Sequence, residues 1–228
     1  ENWRPAWASW CLTYDAGERS RQTAFKQFDR LRYPVSDRDI YVQSNTWGSS
    51  HGFLESREAA TEANVLREIE SDAELGIDVL QIDDGWQGNG YNRWKPNPER
   101  YPEGWKNVKE KAAEKGLQLG LWMAAMPPSI DDMVRNAKEG GFVSFKLDFA
   151  CLQSRRDIDD LINKVRELVK QCNHRMRINW DLTEVAPRYG YYFAREFGCI
   201  YLENRKPVLP RNVTYRPTTV LRDLWQVA

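Results

Sequence analysis

The 228 residues carry 33 Lys+Arg against 33 Asp+Glu, a formal net charge of zero, so charge gives no argument for nucleic acid or an anionic membrane surface as partner. No apolar run approaches the roughly 20 residues of a membrane-spanning helix. The start, Glu1-Asn2-Trp3-Arg4-Pro5, lacks the basic and apolar regions of a secretory leader; it also lacks Met, which leaves the compartment open.

Taken in chain order, Trp3 through Pro34 fits no repeating unit and is expected to be a linker or the remnant of a preceding domain, so residues 1–35 are set apart from 36–228. Asp39 to Trp47 reads as a first strand, followed by the Gly/Ser-rich loop 48–52. Ser56 to Leu75 reads as one long helix with Val65, Ile69 and Ala73 on its apolar face and Gly76 as its stop. Ile77 to Ile82 is an apolar strand ending in Asp83-Asp84-Gly85-Trp86-Gln87. The loop from Gly88 to Pro102 carries the turn signals Asn97-Pro98 and Tyr101-Pro102. Trp105 to Lys115 is expected as a helix closed by Gly116, and Leu117 to Met123 as a strand. Pro127-Pro128 breaks the chain before Ser129, an N-cap with Asp132 three residues on; that helix ends near Gly140-Gly141. Phe142 to Phe149 is a strand. Ser154 and Asp157 repeat the cap pattern ahead of Ile158, Leu161, Ile162, Val165, Leu168, Val169 and Cys172 at helical spacing. Met176 to Trp180, a helix over Pro187 to Phe197, a strand over Cys199 to Leu202 and a helix from Thr218 complete the pattern.

Strands alternating with helices imply right-handed βαβ units and a parallel sheet. The chain has no G-x-G-x-x-G and no Walker loop, which removes the usual support for an open nucleotide-binding sheet. Polar and aromatic residues gather at the carboxyl end of nearly every strand, as the active face of a (β/α)8 TIM barrel requires. About six β/α units are countable where a complete barrel needs eight, so the barrel is expected to be incomplete in this chain.

The four cysteines (Cys11, Cys151, Cys172, Cys199) make neither a C-x-x-C pair nor a zinc spacing, and are expected as buried or semi-buried free thiols. His51 and His174 lie far apart. No metal, cofactor or His-based nucleophile is expected. The aromatic count is high, with ten Trp, ten Tyr and eight Phe. Most of the Trp residues suit a core, but Trp47, Trp86 and Trp122 fall at strand ends, where indole rings can pack against the C–H face of a pyranose.

Two groups of residues could carry chemistry. Successive strand residues point to opposite faces, so Asp83 and Asp84 cannot both enter a barrel from a regular strand. Lys146 and Asp148, two apart, share one face of their strand; the lysine is expected to hold Asp148 ionised with its pKa pressed down. An ionised carboxylate suits a nucleophile. A glycosidase also needs a carboxyl group that can be protonated, and Asp181, Glu184 and Glu203 are the candidates on the last two strands.

Ile82-Asp83-Asp84-Gly85-Trp86-Gln87, Asn45-Thr46-Trp47, Leu119-Gly120-Leu121-Trp122 and Lys146-Leu147-Asp148 together resemble the motifs of glycoside hydrolase family 36 α-galactosidases and their melibiase clan. Asp-Asp-Gly-Trp-Gln, with the Lys-x-Asp-x-x-Cys arrangement ending in Cys151, leans towards the raffinose synthase-like branch. The resemblance covers about residues 39 to 205. It implies a retaining hydrolase acting on substrates with terminal α-galactose through a covalent galactosyl-enzyme. Asp148 would be the nucleophile, and Asp83, Asp84 and Lys146 would bind sugar hydroxyls. Trp47 and Trp122 would line the pocket. Trp86, Asn179 and Arg205, at the ends of neighbouring strands, are further expected substrate contacts. The family's acid/base is an Asp after strand six, where Glu203 is the nearest match; Asp181 is the other candidate. An α-galactosyl transferase and a non-catalytic sugar-binding barrel fragment are the alternatives.

Overall fold

A computed structural model describes residues 11–32, 34, 40–48, 53–87, 94–150, 152, 154–181 and 197–201, with the side chains of 53–55 and 199–201 excepted. The chain divides into two units, Glu1–Asp39 with Glu203–Ala228, and Ile40–Leu202. In the first, Glu18–Arg32 forms helix α1, none of whose residues is buried. The segment expected as a linker or the remnant of a preceding domain thus contains a helix of 15 residues.

In the second unit, six strands lie side by side in chain order, every neighbouring pair parallel. They are β1 (Gln43–Asn45), β2 (Val79–Ile82), β3 (Gln118–Ala124), β4 (Ser144–Asp148), β5 (Arg177–Asp181) and β6 (Gly198–Tyr201). Between them run α2 (Phe53–Glu58), α3 (Glu62–Leu75), α4 (Lys106–Lys115), α5 (Ile130–Gly140) and α6 (Arg155–Gln171). This is a (β/α)-barrel sheet with six of its strands described. Parallel strands joined by helices place every strand's carboxyl end on one rim.

The alternation of side chains splits the sheet into two chemically different faces. Leu80, Ile82, Leu119, Leu121, Met123, Phe145, Leu147, Ile178 and Trp180 are buried in one apolar cluster with Val65, Ile69, Val108, Ala112, Met133, Val134, Leu161, Val165 and Leu168 from the helices. The opposite face is polar. Gln43 Nε2 donates to Gln81 Oε1 at 3.0 Å and Arg177 Nη2 to Gln118 Oε1 at 3.0 Å, while the Arg177 guanidinium lies 4.2 Å from the centre of the Tyr41 ring. A Cβ added at Gly120 would come within 2.6 Å of Ser144 Oγ, so glycine there allows close approach inside the polar face.

Both expected capping boxes form: Ser129 with Asp132 and Ser154 with Asp157 exchange side-chain and backbone bonds at the starts of α5 and α6. Gly76, Gly116 and Gly141 end their helices in the left-handed region, as placed from the sequence. The single helix expected over Ser56 to Leu75 is in fact two. Thr61 adopts an extended conformation and caps α3 through Asn64 N. The carbonyl of Arg57, at the end of α2, accepts from Ala60 N at 3.3 Å and from Arg100 Nη1 at 2.6 Å, the second a partner 43 residues away that no local pattern reveals. Strand β1 is shorter than expected, because Thr46–Gly48 turns into a 3-10 helix. The helices expected from Pro187 and from Thr218 lie outside the described residues, apart from Phe197. Cys11 is exposed and Cys172 half-buried, both free, so burial fails for the first; Cys151 and the Cys199 side chain lie outside the described residues.

Replacing Ser154 by Ala removes the acceptor for Asp157 N and should lower stability by about 1 kcal/mol. Urea unfolding would read this as a lower midpoint with an unchanged slope.

Candidate active site

The carboxyl rim of the sheet collects one ammonium and three carboxylates from three strands. Lys146 on β4 is 4% exposed, and its Nζ lies 3.1 Å from Asp83 Oδ2 and 3.3 Å from Asp181 Oδ2. The pleat explains the convergence: Lys146 stands beside Asn179 in the β4–β5 register, and Asp181 is two residues further along the same face of β5. Asp83, just past β2, is 1% exposed. Its Oδ2 also accepts from Asn45 Nδ2 at 2.8 Å, its Oδ1 accepts from Asp84 N at 2.8 Å, and its own N–H donates to Thr46 Oγ1. Asn45 Oδ1 in turn accepts from Trp47 N at 2.9 Å, so the end of β1 is built onto Asp83.

Asp148 ends β4. Its Oδ2 accepts from Trp122 Nε1 at 3.1 Å and its Oδ1 from Phe149 N at 2.7 Å. Phe149 follows with φ 53°, in the left-handed region, its ring edge-on to Trp122 at 6.0 Å; a bulky residue held there stores backbone strain. The pKa of Asp148 is pushed up, first by burial and then by the negative charge of Asp181, with Trp122 and Lys146 opposing. The expectation that Lys146 presses this pKa down is therefore corrected. The ammonium is committed to Asp83 and Asp181, and its pull on Asp148 is outweighed.

Asp84 is not on this cluster. As alternation requires, it turns the other way, onto Arg57 Nη1 at 2.9 Å and Gln87 Nε2 at 2.7 Å. Burial raises its pKa, opposed by Gln87 and Arg57. The turn that reverses direction here needs Gly85: its φ is 120°, and a Cβ would sit 2.2 Å from the Arg57 carbonyl oxygen. Trp86 also departs from expectation. It is fully buried, donates from Nε1 to the carbonyl of Trp122 at 2.8 Å and packs on Trp105 at 5.3 Å and Trp94 at 6.2 Å. No face of this indole is open to a sugar, so it serves the core beneath the site. Trp122, 1% exposed, reaches Asp148 with its N–H. Trp47 is half-buried at the end of β1. Asn179 is 5% exposed, and its Oδ1 has no partner among the described residues. Glu203 and Arg205 lie outside the described residues.

Three contributors were missed in the sequence. Both Asn45 and Gln87 lay within the quoted motifs; Gln87, three residues after Asp84, had a nearby acid as its signal, while the bond of Asn45 to Asp83 spans 38 residues. Arg57 had none, since its tie to Asp84 spans 27 residues and an interrupted helix. Among the described residues no cluster of three or more His, Cys, Asp and Glu is arranged to hold a metal ion, and no helix is long and apolar enough to cross a membrane.

Residues 33–140 match the Melibiase family model, a span that includes Trp47, Asp83, Asp84 and Trp122 and ends before Lys146. A probable alpha-galactosidase C of Aspergillus terreus is 30% identical over 113 residues, covering 41% of this chain and 14% of that protein. The chain thus spans a small part of the curated relatives it matches. Among solved structures, TtGalA, an alpha-galactosidase of Thermus thermophilus in complex with p-nitrophenyl α-D-galactopyranoside, aligns with a TM-score of 0.54 at 19% identity, covering 72% of this chain and 42% of that one. The alpha-galactosidase AgaA of Geobacillus stearothermophilus aligns with a TM-score of 0.55 at 14% identity, covering 88% and 40%. At these identities the structural likeness is one of fold. The relatives are α-galactosidases, and the lean towards the raffinose synthase-like branch gains no support from them.

Removing Arg57 by an Ala substitution leaves Asp84 buried without its cation and should cost about 3 kcal/mol at pH 7. The fold holds the proton of Asp84 more tightly than the unfolded chain does, so stability from this group falls as pH rises through the raised folded pKa. The loss in Arg57→Ala should accordingly be smaller at low pH, where the carboxyl is protonated; urea titrations at both pH values measure it.

Proposed function

We propose that this chain carries the sugar-binding and nucleophilic half of a retaining glycoside hydrolase acting on terminal α-galactosides. The observation that carries this reading is the placement of Asp148. It is a carboxylate at the end of a barrel strand, oriented by an indole N–H and a backbone N–H, beside a buried Asp83–Lys146–Asp181 network. The match to the Melibiase model and the α-galactosidases among the relatives supply the substrate class.

A retaining mechanism needs a nucleophile below the anomeric carbon and a proton donor at the leaving oxygen, with carboxyl groups roughly 5–5.5 Å apart. Asp148 would serve as the former. Two bonds aim its carboxylate, which lowers the reorganisation needed on attack. Its raised pKa makes it a stronger base, and so a better nucleophile once ionised, than an ordinary surface Asp. Asp83 and Lys146 present an acceptor and a donor side by side, a pairing that suits the vicinal hydroxyls of a sugar. Trp47, half-buried at the end of β1, keeps indole surface that could meet a sugar ring, whereas Trp122 serves through its N–H on Asp148.

Asp181 fits the role of proton donor poorly. Lys146 lies 3.3 Å from Asp181, and a proton on Asp181 would remove its charge–charge attraction to the ammonium. Glu203 remains the candidate, in keeping with the resemblance. As Asp148 bonds to the anomeric carbon, Glu203 would give its proton to the leaving oxygen; the ionised Glu203 would then take a proton from a water whose oxygen attacks that carbon and displaces the Asp148 carboxylate, releasing galactose with its configuration retained. Asp84, fixed by Arg57 and Gln87, would act mainly by holding the turn that aims Asp83.

Turnover of p-nitrophenyl α-galactoside tests the reading, with Asp148→Ala expected to lower kcat by about 10⁴-fold while circular dichroism stays that of the parent. Activity kept in that variant would remove Asp148 from the chemistry. The acid limb of kcat/KM should lie above the ordinary carboxylate range, because the nucleophile must ionise from a raised pKa. Asp181→Asn takes away a negative neighbour and should move that limb to lower pH with turnover retained. If Asp181 were instead the acid/base, the same variant would lose the basic limb and most of its turnover.

A further inference from the structure

The loop from Ala125 to Ser129, which leaves β3 on the carboxyl rim, is held by a side chain from α6. Lys164 Nζ lies 2.9 Å from the carbonyl oxygen of Met126 and 3.1 Å from that of Pro128. The sequence of the loop explains why an outside donor is needed. Pro127 and Pro128 have no N–H, and the amide of Ser129 is used in its own capping box with Asp132. A carbonyl shielded from water requires a donor, and at buried Pro128 the ammonium, with three donors, supplies one. The other end of the loop meets the site directly, since Ala125 N donates to the carbonyl of Asp148 at 2.6 Å and Ala125 is fully buried. Asp148 is therefore held from β3 twice, through its carbonyl by Ala125 and through its carboxylate by Trp122.

The acidic groups near Lys164 are engaged elsewhere. On α6, Asp160 lies 3.5 Å from Arg156 and Glu167 accepts from Gln171; at the start of α5, Asp132 holds Ser129 and Arg135. Burial, not an ionic partner, sets the character of Lys164 and lowers its pKa to about 8. A lysine kept in that position against its own hydration is one whose donors are in use.

We propose that Lys164 is a positioning residue: its ammonium, seated on the carbonyls of Met126 and Pro128, clamps the β3–α5 loop so that Ala125 and Trp122 hold Asp148 in its reactive orientation. This rests on the reading of Asp148 as nucleophile. Lys164 bonds the loop carbonyls of Met126 and Pro128, while the Asp148 carboxylate is held by Trp122 and Phe149, so the clamp acts on Asp148 through the loop. Its loss should thus fall on kcat and leave KM nearly unchanged, because a small misplacement of a nucleophile is costly to the chemical step.

The test combines two readouts on the full chain at pH 7, where Lys164 is charged. Hydrogen exchange of the Ala125 amide, followed by NMR, reports the loop without reference to activity. In Lys164→Met it should speed up by about tenfold or more, and in Lys164→Arg, which restores donors and charge, it should return to the parent rate. With p-nitrophenyl α-galactoside, Lys164→Met should lose about tenfold or more in kcat with KM within about threefold, and Lys164→Arg should recover most of it. Lys164→Gln, neutral and too short to span both carbonyls, gives the same comparison if the Met variant does not fold. Unchanged Ala125 exchange in the neutral variants would overturn the clamp. Faster exchange with unchanged kcat would overturn the positioning role. If the parent chain itself shows no turnover, the functional reading fails and the exchange rates alone decide whether the clamp exists.

Discussion

The site rests on a buried ammonium shared by two carboxylates. Lys146, with Asp83 and Asp181 at 3.1 and 3.3 Å, joins β2, β4 and β5 on the inner face of the sheet. Taking such charges out of water costs several kcal/mol per ion, recovered only by good geometry and additional hydrogen bonds. Here the additional bonds come from Asn45 and the backbone N–H of Asp84. One cation cannot neutralise two carboxylates and a third nearby. Burial, and after it the negative charge of Asp181, pushes the pKa of Asp148 up.

This arrangement separates two tasks that the sequence presents together. The adjacent acids Asp83 and Asp84 look alike on paper, yet the pleat sends them to opposite environments. Asp83 enters the cationic network. Asp84 joins Arg57 and Gln87, and the glycine after it allows the chain to pass against the Arg57 carbonyl. The result is a turn in which Asp83 is aimed by its neighbour, whose backbone N–H it accepts from. Trp86 belongs to the same logic, since its fully buried ring and its bond to the Trp122 carbonyl tie the turn to β3, from which Trp122 reaches Asp148.

What the sequence made legible were features whose cause is local. Ser129 with Asp132 and Ser154 with Asp157 announce helix starts because the bonds they make lie within four residues. The glycine stops and the parallel strand order follow from equally short-range rules. The shared face of Lys146 and Asp148 was also readable, being a consequence of the two-residue period. Its electrostatic meaning was not, because the partners that claim the ammonium come from β2 and β5, 63 and 35 residues away. The same holds for the break between α2 and α3, which depends on Arg100, and for the loss of Trp86 to the core, which depends on Trp94 and Trp105. Where function was concerned, motif resemblance reached further than residue spacing, but it could not tell which of two acids points inward.

The chemistry proposed for Asp148 is open to direct observation. A fluorinated α-galactosyl fluoride that glycosylates a retaining enzyme and is released slowly should leave a covalent sugar on the protein. Peptide mass spectrometry should find that mass on the segment containing Phe145 to Ala150 and assign it to Asp148. A label on any other carboxylate, or an enzyme that turns over α-galactosides with inversion and without a covalent adduct, would contradict the nucleophilic role of Asp148.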